Sequence, residues 1–292
     1  MGYVSIPGGV LRGRRKLRLG SSCSRKHIVR CEVHREHREK YGIPTPVEGE
    51  PLRLDDLREN LVRQEETIIF AIVERAQFAM NDAVYDSDKL PVPGFNGCFS
   101  QYLLYELEKV YASVRRYKSP DEHPFCANLP SPTMPGVLEY PKTIIPNSVN
   151  VNDKIWDSYT QTILPQICEP GDDGNYGSSC TCDVTCLQAI SKRIHYGKFI
   201  AESKFLEAPD IYSKHIRNED RQAIWNELSN FKVEELLLKR IFNKASAYVQ
   251  DITDDGALET YKIQPEALVR IYKDLIIPMT KEVEVDYLMV RI

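Results

Sequence analysis

SKRIHYGKFIAESKF, running from Ser191 to Phe205, is the stretch whose reading decides the fold. It contains no proline, and every residue but Gly197 tolerates helix well. At about 100° per residue, Arg193, Gly197, Ile200 and Lys204 fall on one face, so two cations about three turns apart line one side of a helix. Gly197 lies between them. A residue with no side chain opens a hollow where a small dianion could lie against the backbone, or else admits a neighbouring helix. Taken alone, the stretch reads most simply as a surface helix with solvated Arg and Lys.

Other segments carry helical periodicity of the same kind. Asp56-x-x-Glu59 reads as a capping-box variant ahead of a stripe of Leu54, Leu57, Leu61, Ile68 and Ile72, a helix that could continue to Met80. Arg58 lies at the edge of that stripe and can either snorkel to water or turn inward to meet an anion. A second helix is expected from Phe99 to Tyr117, with Phe99, Leu103, Leu107, Val110 and Val114 in register, ending in Arg115 and Arg116 where cations complement the helix dipole. Six of the 18 prolines then fall between Pro124 and Pro146, which specifies a long irregular loop. Asn152 is placed to cap a helix to Ile167 with Ile155, Tyr159 and Ile163 inward.

The second half continues the pattern. A helix is expected from Asn218 to Leu228. In SNFKVEELLLKRIF, Ser229 to Phe242, residues Asn230, Glu234, Leu237, Leu238 and Ile241 share a face, so an amide and a carboxylate interrupt an apolar stripe and need partners. A turn at Asp251 to Gly256 precedes Pro265, which opens a helix. Pro278 kinks or restarts it, giving Met279 to Ile292 with Thr280, Glu284 and Tyr287 aligned. Abundant 3.6-residue periodicity without convincing alternation makes the domain all-α.

Bulk properties bound the function. The 292 residues, 42% apolar and 27% charged, provide an ordinary globular core. The net charge of −4 is asymmetric: residues 1–40 hold 11 Lys or Arg against 3 Glu, net +8, which leaves −12 for the rest. An acidic body with a detached basic arm argues against nucleic acid as a partner of the folded domain. No run of 18 apolar residues occurs, so no membrane span is expected. Eight cysteines in a chain of this length favour reduced thiols in an intracellular compartment. Residues 1–31 carry eight Lys or Arg, four Ser and no acid, as an organelle transit peptide does. Gly and Pro recur from Tyr41 to Pro51, so residues 1–50 read as transit peptide and linker and 51–292 as the folded domain. Cys180-x-Cys182-x-x-x-Cys186 lacks a second pair at zinc-ribbon spacing, and His195 faces away from Arg193, so no metal is expected. His195 reads as a structural hydrogen-bonder, and His123 and His215 have no partner motif.

IHYGKF (Ile194–Phe199) and AESKF (Ala201–Phe205), with LRENLVRQEETIIF (Leu57–Phe70) upstream and IPMTKEVEVDYL (Ile277–Leu288) downstream, resemble the all-helical chorismate mutases of fungi and plants, from about Leu52 to Ile292. The resemblance implies a homodimer that rearranges chorismate to prephenate with no cofactor. It implies a pocket in which Arg58 and Arg193 clamp carboxylates, Lys204 and a protonated Glu284 serve the ether oxygen, Asn230 and Glu234 orient the ring hydroxyl, and Thr280 lines the wall. It also implies an effector site for Trp, Tyr and Phe at Arg115, Arg116, Asn175, Gly177, Ser178 and Thr181. With the basic arm it points to the plastid, with the cytosol as second choice. The competing reading is a non-catalytic helical module that retains the anion pocket.

Overall fold

The computed structural model describes residues 52, 54–133, 143–248, 250–251, 260–261 and 263–292, all within the unit Pro46–Ile292. The basic arm, and the expected turn beyond Asp251, lie outside the described residues.

The chain forms α1 (Leu54–Arg75), α2 (Phe99–Ser113), α3 (Asn152–Ser158, a π turn Tyr159–Ile163, then Leu164–Ile167), α4 (Tyr176–His195), α5 (Gly197–Glu207), α6 (Pro209–Arg217), α7 (Arg221–Leu228), α8 (Phe231–Tyr248) and α9 (Pro265–Ile271, a π turn Tyr272–Ile276, then Ile277–Met289). Two two-residue strands, Gln250–Asp251 and Thr260–Tyr261, pair antiparallel between α8 and α9. They are the only sheet among the described residues.

α1 starts two residues before the expected cap, with Asp55 and Asp56 in its first turn, and buries Leu57, Ile68 and Ile72. It stops at Arg75 rather than Met80 for a physical reason. The buried Arg75 guanidinium pairs with Asp183 at 2.6 Å and donates to the carbonyls of Phe78, Ala79 and Met80 at 3.1–3.2 Å, groups that a longer helix would pair internally.

α2 also differs from expectation. It ends at Ser113, Arg115 takes a left-handed φ of 71°, and the buried face is Ser100, Leu104, Glu108 and Ala112. Glu108 anchors that face, accepting from Tyr117 Oη, the Phe125 and Cys126 amides and Gln188 Nε2. The apolar pair Val110 and Val114 is consequently turned outward, 57% and 54% exposed.

Ile155, Tyr159 and Ile163 face inward from α3. Asn152 does not cap it: the side chain is buried, accepting from Ser191 Oγ at 2.6 Å and donating to Pro124 O at 2.8 Å. Pro209 opens α6 at its first turn, a helix absent from the sequence reading, and α7 starts later than Asn218, capped by Asp220 accepting from the Ala223 amide at 2.9 Å.

The main core joins Ile68 and Ile72 of α1, Ile155 and Tyr159 of α3, Leu187 and Ile190 of α4, and Leu268, Ile271 and Ile276 of α9. A second cluster gathers Ala201 and Phe205 of α5, Tyr212, Ile216, Ile224 and Leu228 of α6 and α7, and Val285, Tyr287 and Leu288 of α9. α5 is buried around almost its whole circumference, so its polar residues must be satisfied internally. Glu202, for example, accepts from Tyr287 Oη at 2.5 Å and from Arg291 at 2.8 and 3.1 Å.

Candidate active site

The Ser191–Phe205 stretch is two helices that meet at Tyr196. Its φ and ψ of −61° and −18° keep the chain helical, while the Phe199 amide bonds Tyr196 O at 3.1 Å in a tighter turn. Gly197 does not open toward a ligand. A Cβ there would lie 3.0 Å from the Cγ2 and backbone oxygen of Thr280 and 3.1 Å from Cγ of Glu284, so its bareness admits α9. The expectation of a hollow at Gly197 is corrected, but the consequence is functional: the close approach brings Thr280 and Glu284 beside Arg193 and Lys204.

These four residues form one cluster, in which Arg193, Thr280 and Glu284 are buried and Lys204 is half-buried. Arg193 is 4% exposed and donates from one terminal nitrogen to Thr280 Oγ1 at 3.3 Å, while its Nε has no hydrogen-bond partner. Thr280 donates to Ile276 O at 2.6 Å. Burial depresses the basicity of Arg193, opposed by Tyr272, Glu65 and Glu284. A guanidinium stays protonated regardless. A buried cation with unused donors is a standing site for an anion with several acceptor oxygens. Lys204 donates to Leu228 O at 2.7 Å and lies 3.8 Å from Glu284 Oε2. Glu284 is 6% exposed. Burial pushes its carboxyl up, with Lys204, Arg193 and Lys281 pulling it down and Glu234 adding to the rise.

Two expected members stand outside the cluster. Arg58 lies on the exposed side of the first turn of α1, where Leu57 and Asn60 take the inward positions, and it pairs with Asp55 at 3.1 Å. Asn230 is exposed rather than set in an apolar stripe; its Oδ1 accepts from the Val233 amide at 3.2 Å and so caps α8. Glu234 is half-buried and ion-paired to Lys281 at 2.7 Å.

Three residues adjoin the site that the sequence reading did not single out. Glu65, fully buried, takes a fork from Arg240 at 2.6 and 2.8 Å and a third contact from Lys244 at 3.3 Å. It sits on the α1 stripe, four residues after Leu61 and three before Ile68, and a carboxylate at a core position was the available signal. Tyr272 opens the π turn of α9 with a buried hydroxyl that has no partner, electrostatically coupled to Arg193. Lys281 carried no signal, because its partners come from other helices.

The effector candidates fall in two groups. Asn175, Gly177, Ser178 and Thr181 are exposed at the start of α4, beside a loop in which Asp173 accepts from the amides of Ala79 and Asn175 at 2.8 Å. Gly174 there has φ 75°, a conformation that favours glycine. Arg115 and Arg116 lie beyond the end of α2. Arg116 pairs with Glu122 at 3.0 Å and stacks over Tyr111, and Glu122 also holds Lys192 at 2.9 Å near the far end of α4.

His195 is structural: Nδ1 donates to Ser191 O at 2.9 Å, and Nε2 accepts from the Val151 amide at 3.1 Å. His123 stacks on it at 4.2 Å between ring centres and meets buried Lys198 at 2.8 Å, a partner no motif announced. Among the described residues no group of His, Cys, Asp and Glu is arranged to hold a metal ion, and no helix is long and apolar enough to cross a membrane.

Fold and site together define a class: an all-helical protein in which a buried guanidinium, a half-buried ammonium and a buried protonatable carboxyl gather where α4, α5 and α9 meet. A family model described as chorismate mutase type II matches residues 175–285. Chorismate mutase 1, chloroplastic, of Petunia hybrida is 45% identical over 252 residues, covering 84% of this chain and 78% of that one. Among solved structures, the Aro7p chorismate mutase of Candida albicans in complex with L-Trp is 42% identical with a TM-score of 0.79, covering 82% and 92% of the two chains. AtCM1 with tyrosine bound in its allosteric site is 43% identical with a TM-score of 0.75, covering 84% and 98%. The chain belongs to the chorismate mutase family.

Proposed function

We propose that the protein catalyses the Claisen rearrangement of chorismate to prephenate at the Arg193–Lys204–Thr280–Glu284 cluster, as an isomerase that aromatic amino acids regulate. The observation that carries this reading is the buried Arg193 with an unused Nε, a few ångströms from Thr280 and next to Lys204 and Glu284. A pericyclic rearrangement of a ring dianion asks for two things: folding of the side chain over the ring, and stabilisation of the charge that gathers on the ether oxygen. Arg193 binds one carboxylate and holds that fold. Arg58, at the exposed start of α1, supplies the second clamp by swinging from Asp55; the neighbouring Leu57 packs with Tyr196, Phe199 and Ile200, which keeps that turn close to α5.

Lys204 and protonated Glu284 both donate to the ether oxygen, where an ionised Glu284 would repel it. Glu234, from the first turn of α8, and Asn230, which caps that helix, take the ring hydroxyl, and Thr280 fixes Arg193. Deleting one donor to the developing charge costs about 3 kcal/mol of barrier, roughly a hundredfold in rate.

Arg115, Arg116, Asn175, Gly177, Ser178 and Thr181 form the effector site in a homodimer. The exposed Phe70, Val110, Val114 and Tyr248 give a single chain apolar surface that a second copy would cover. The effector reading draws on the relatives solved with L-Trp and with tyrosine, and the plastid assignment on the chloroplastic relative and the basic arm.

The test is to follow chorismate by its absorbance, alone and with Trp, Tyr or Phe added separately. Turnover, activation by Trp and inhibition by Tyr or Phe are expected. Binding without turnover would refute the catalytic reading, and indifference to all three amino acids would refute the regulatory one.

A further inference from the structure

From residue 169 to residue 178 the chain leading into α4 is exposed, with only Tyr176 half-buried. Gly171 and Gly174 have φ of 123° and 75°, and a Cβ added at either would meet nothing within 4 Å. No buried side chain fixes the course of this loop, so polar contacts must do it. Some run within the loop: Asp172 accepts from the Gly174 amide at 2.8 Å and from Tyr176 Oη at 2.7 Å. Others reach residues 79–81. The Met80 amide donates to Glu169 O at 2.8 Å, the Asn81 amide to Gly171 O at 2.9 Å, and the Ala79 amide to Asp173 Oδ2 at 2.8 Å. The Asn81 side chain closes the clasp. Its Oδ1 accepts from the Asp173 amide at 2.9 Å, and its Nδ2 donates to Asp173 Oδ1 at 3.0 Å and to Ser179 Oγ at 3.4 Å.

Asn81 is itself firmly held. It is fully buried, its left-handed φ of 54° is one that Asn tolerates better than most residues, and its carbonyl accepts from the amide of buried Val84 at 3.0 Å. The residues before it are pinned by Arg75 through the carbonyls of Phe78, Ala79 and Met80. One side-chain amide therefore ties an exposed loop to a buried frame. On the loop side, donors from Asn175, Ala79 and Asn81 pull the Asp173 carboxyl down to about 2, so it stays ionised and accepting at neutral pH.

We propose that Asn81 is the positioning residue of the effector site: by clasping Asp173 and Ser179 it fixes the loop that presents Asn175, Gly177 and Ser178, and so sets the affinity for an amino-acid effector. This rests on the regulatory reading above. Asn81 is buried and acts through Asp173 rather than on the ligand. A loop that holds its binding geometry only a tenth of the time binds about tenfold more weakly. The Arg193–Lys204–Thr280–Glu284 cluster makes none of these contacts, so basal turnover does not depend on them.

The experiment follows chorismate turnover by wild type, Asn81→Gly, Asn81→Asp and Asp173→Asn against rising Tyr and rising Trp, with Tyr binding also measured by calorimetry. Glycine accepts the left-handed backbone, so Asn81→Gly removes the amide without straining the turn. It is expected to raise the half-effect concentration and the Kd for Tyr about tenfold, with kcat and KM in the absence of effector within about twofold of wild type. Asn81→Asp keeps size and backbone preference but sets a second carboxylate against Asp173, and a rise at least as large is expected; a residue that merely filled space would lose little. Asp173→Asn sets an amide donor against a donor whichever way it is turned, and is expected to act in the same direction. Lying on the exposed side, it leaves the interior intact and carries the test should Asn81→Gly fail to fold. A wild-type half-effect concentration in Asn81→Gly, or an Asn81→Asp that behaves as wild type, overturns the proposal. So does a fall in basal kcat as large as the loss of effector affinity, which would make the clasp a matter of general stability. Wild type that turns over but ignores Trp, Tyr and Phe overturns the regulatory reading itself, whereas a responsive wild type with equally responsive variants overturns only the role of Asn81.

Discussion

Glu284 concentrates the chemistry of the site in one proton. Its carboxyl is buried, and desolvation, with Glu234 adding to it, raises its pKa against the pull of Lys204, Arg193 and Lys281. On the proposed reading the protonated form is the active one, since only it can donate to an oxygen gaining negative charge. Activity is therefore full below the raised pKa and falls as pH rises through it, and a kcat/KM profile from pH 5 to 9 reads that alkaline limb. Glu284→Gln keeps a donor at every pH, so its profile is flat over the same range; a limb that survives in the variant assigns the titration to another group. The same ionisation enters stability with a definite sign: the folded state holds this proton more tightly than the unfolded chain, so stability drops as pH rises from the unfolded carboxyl range toward the folded pKa. At this scale the sequence was legible wherever helical spacing alone puts side chains together. Arg193 and Lys204 share a face across eleven residues, and Thr280 and Glu284 are one turn apart. Arg58 lies near the start of α1 and Asn230 caps α8, places where local pairing and capping compete with an inward position, and periodicity does not arbitrate that contest.

Among the elements, α5 and α9 decide whether the cluster exists, and Gly197 is where they touch. Gly197→Ala would place a methyl 3.0 Å from a backbone oxygen of Thr280, which cannot rotate away as a side-chain end can. Alanine favours helix over glycine by up to about 1 kcal/mol, which offsets part of the strain, so the thermal midpoint shifts by only a few degrees. The displacement of α9 by a few tenths of an ångström is not offset, because Thr280 and Glu284 move relative to Arg193 and Lys204. A fall in kcat of about tenfold or more with a near-native midpoint is expected, in line with the sensitivity of catalysis to small misplacements. Unchanged kcat would show that the spacing of the two helices does not govern catalysis. The sequence left two readings of Gly197 open, and only the path of α9 decides between them. Proline shows the same limit. Pro265 reads as a helix start and Pro278 as a kink or restart because long periodic runs follow them, whereas the nine residues of α6, Pro209 included, are too few to establish a period.

Over the whole molecule, the effector candidates make a geometric argument for two chains. α2 runs alongside α4 in the same direction: Ser100 is near Asp183, and Glu108 bonds Gln188. Arg116 therefore lies with Glu122 and Lys192, at the end of α4 opposite to Thr181. The eleven helical steps from Thr181 to Lys192 span roughly 16 Å. A free amino acid, under about 10 Å long by ordinary bond lengths, does not bridge that distance within one chain. If all six residues serve one site, Arg115 and Arg116 of one copy must meet Asn175, Gly177, Ser178 and Thr181 of another. Complementation tests this. One chain carries Arg115→Ala and Arg116→Ala, the other Thr181→Ala, and each alone is expected to retain basal turnover and lose its response to Trp and Tyr. A mixed dimer purified on two different tags has both lesions in one site and neither in the other, so about half the response returns. A mixed dimer as unresponsive as its parents would mean that each site is built from a single chain, and the arginine pair would then be helix-end cations with no part in effector binding.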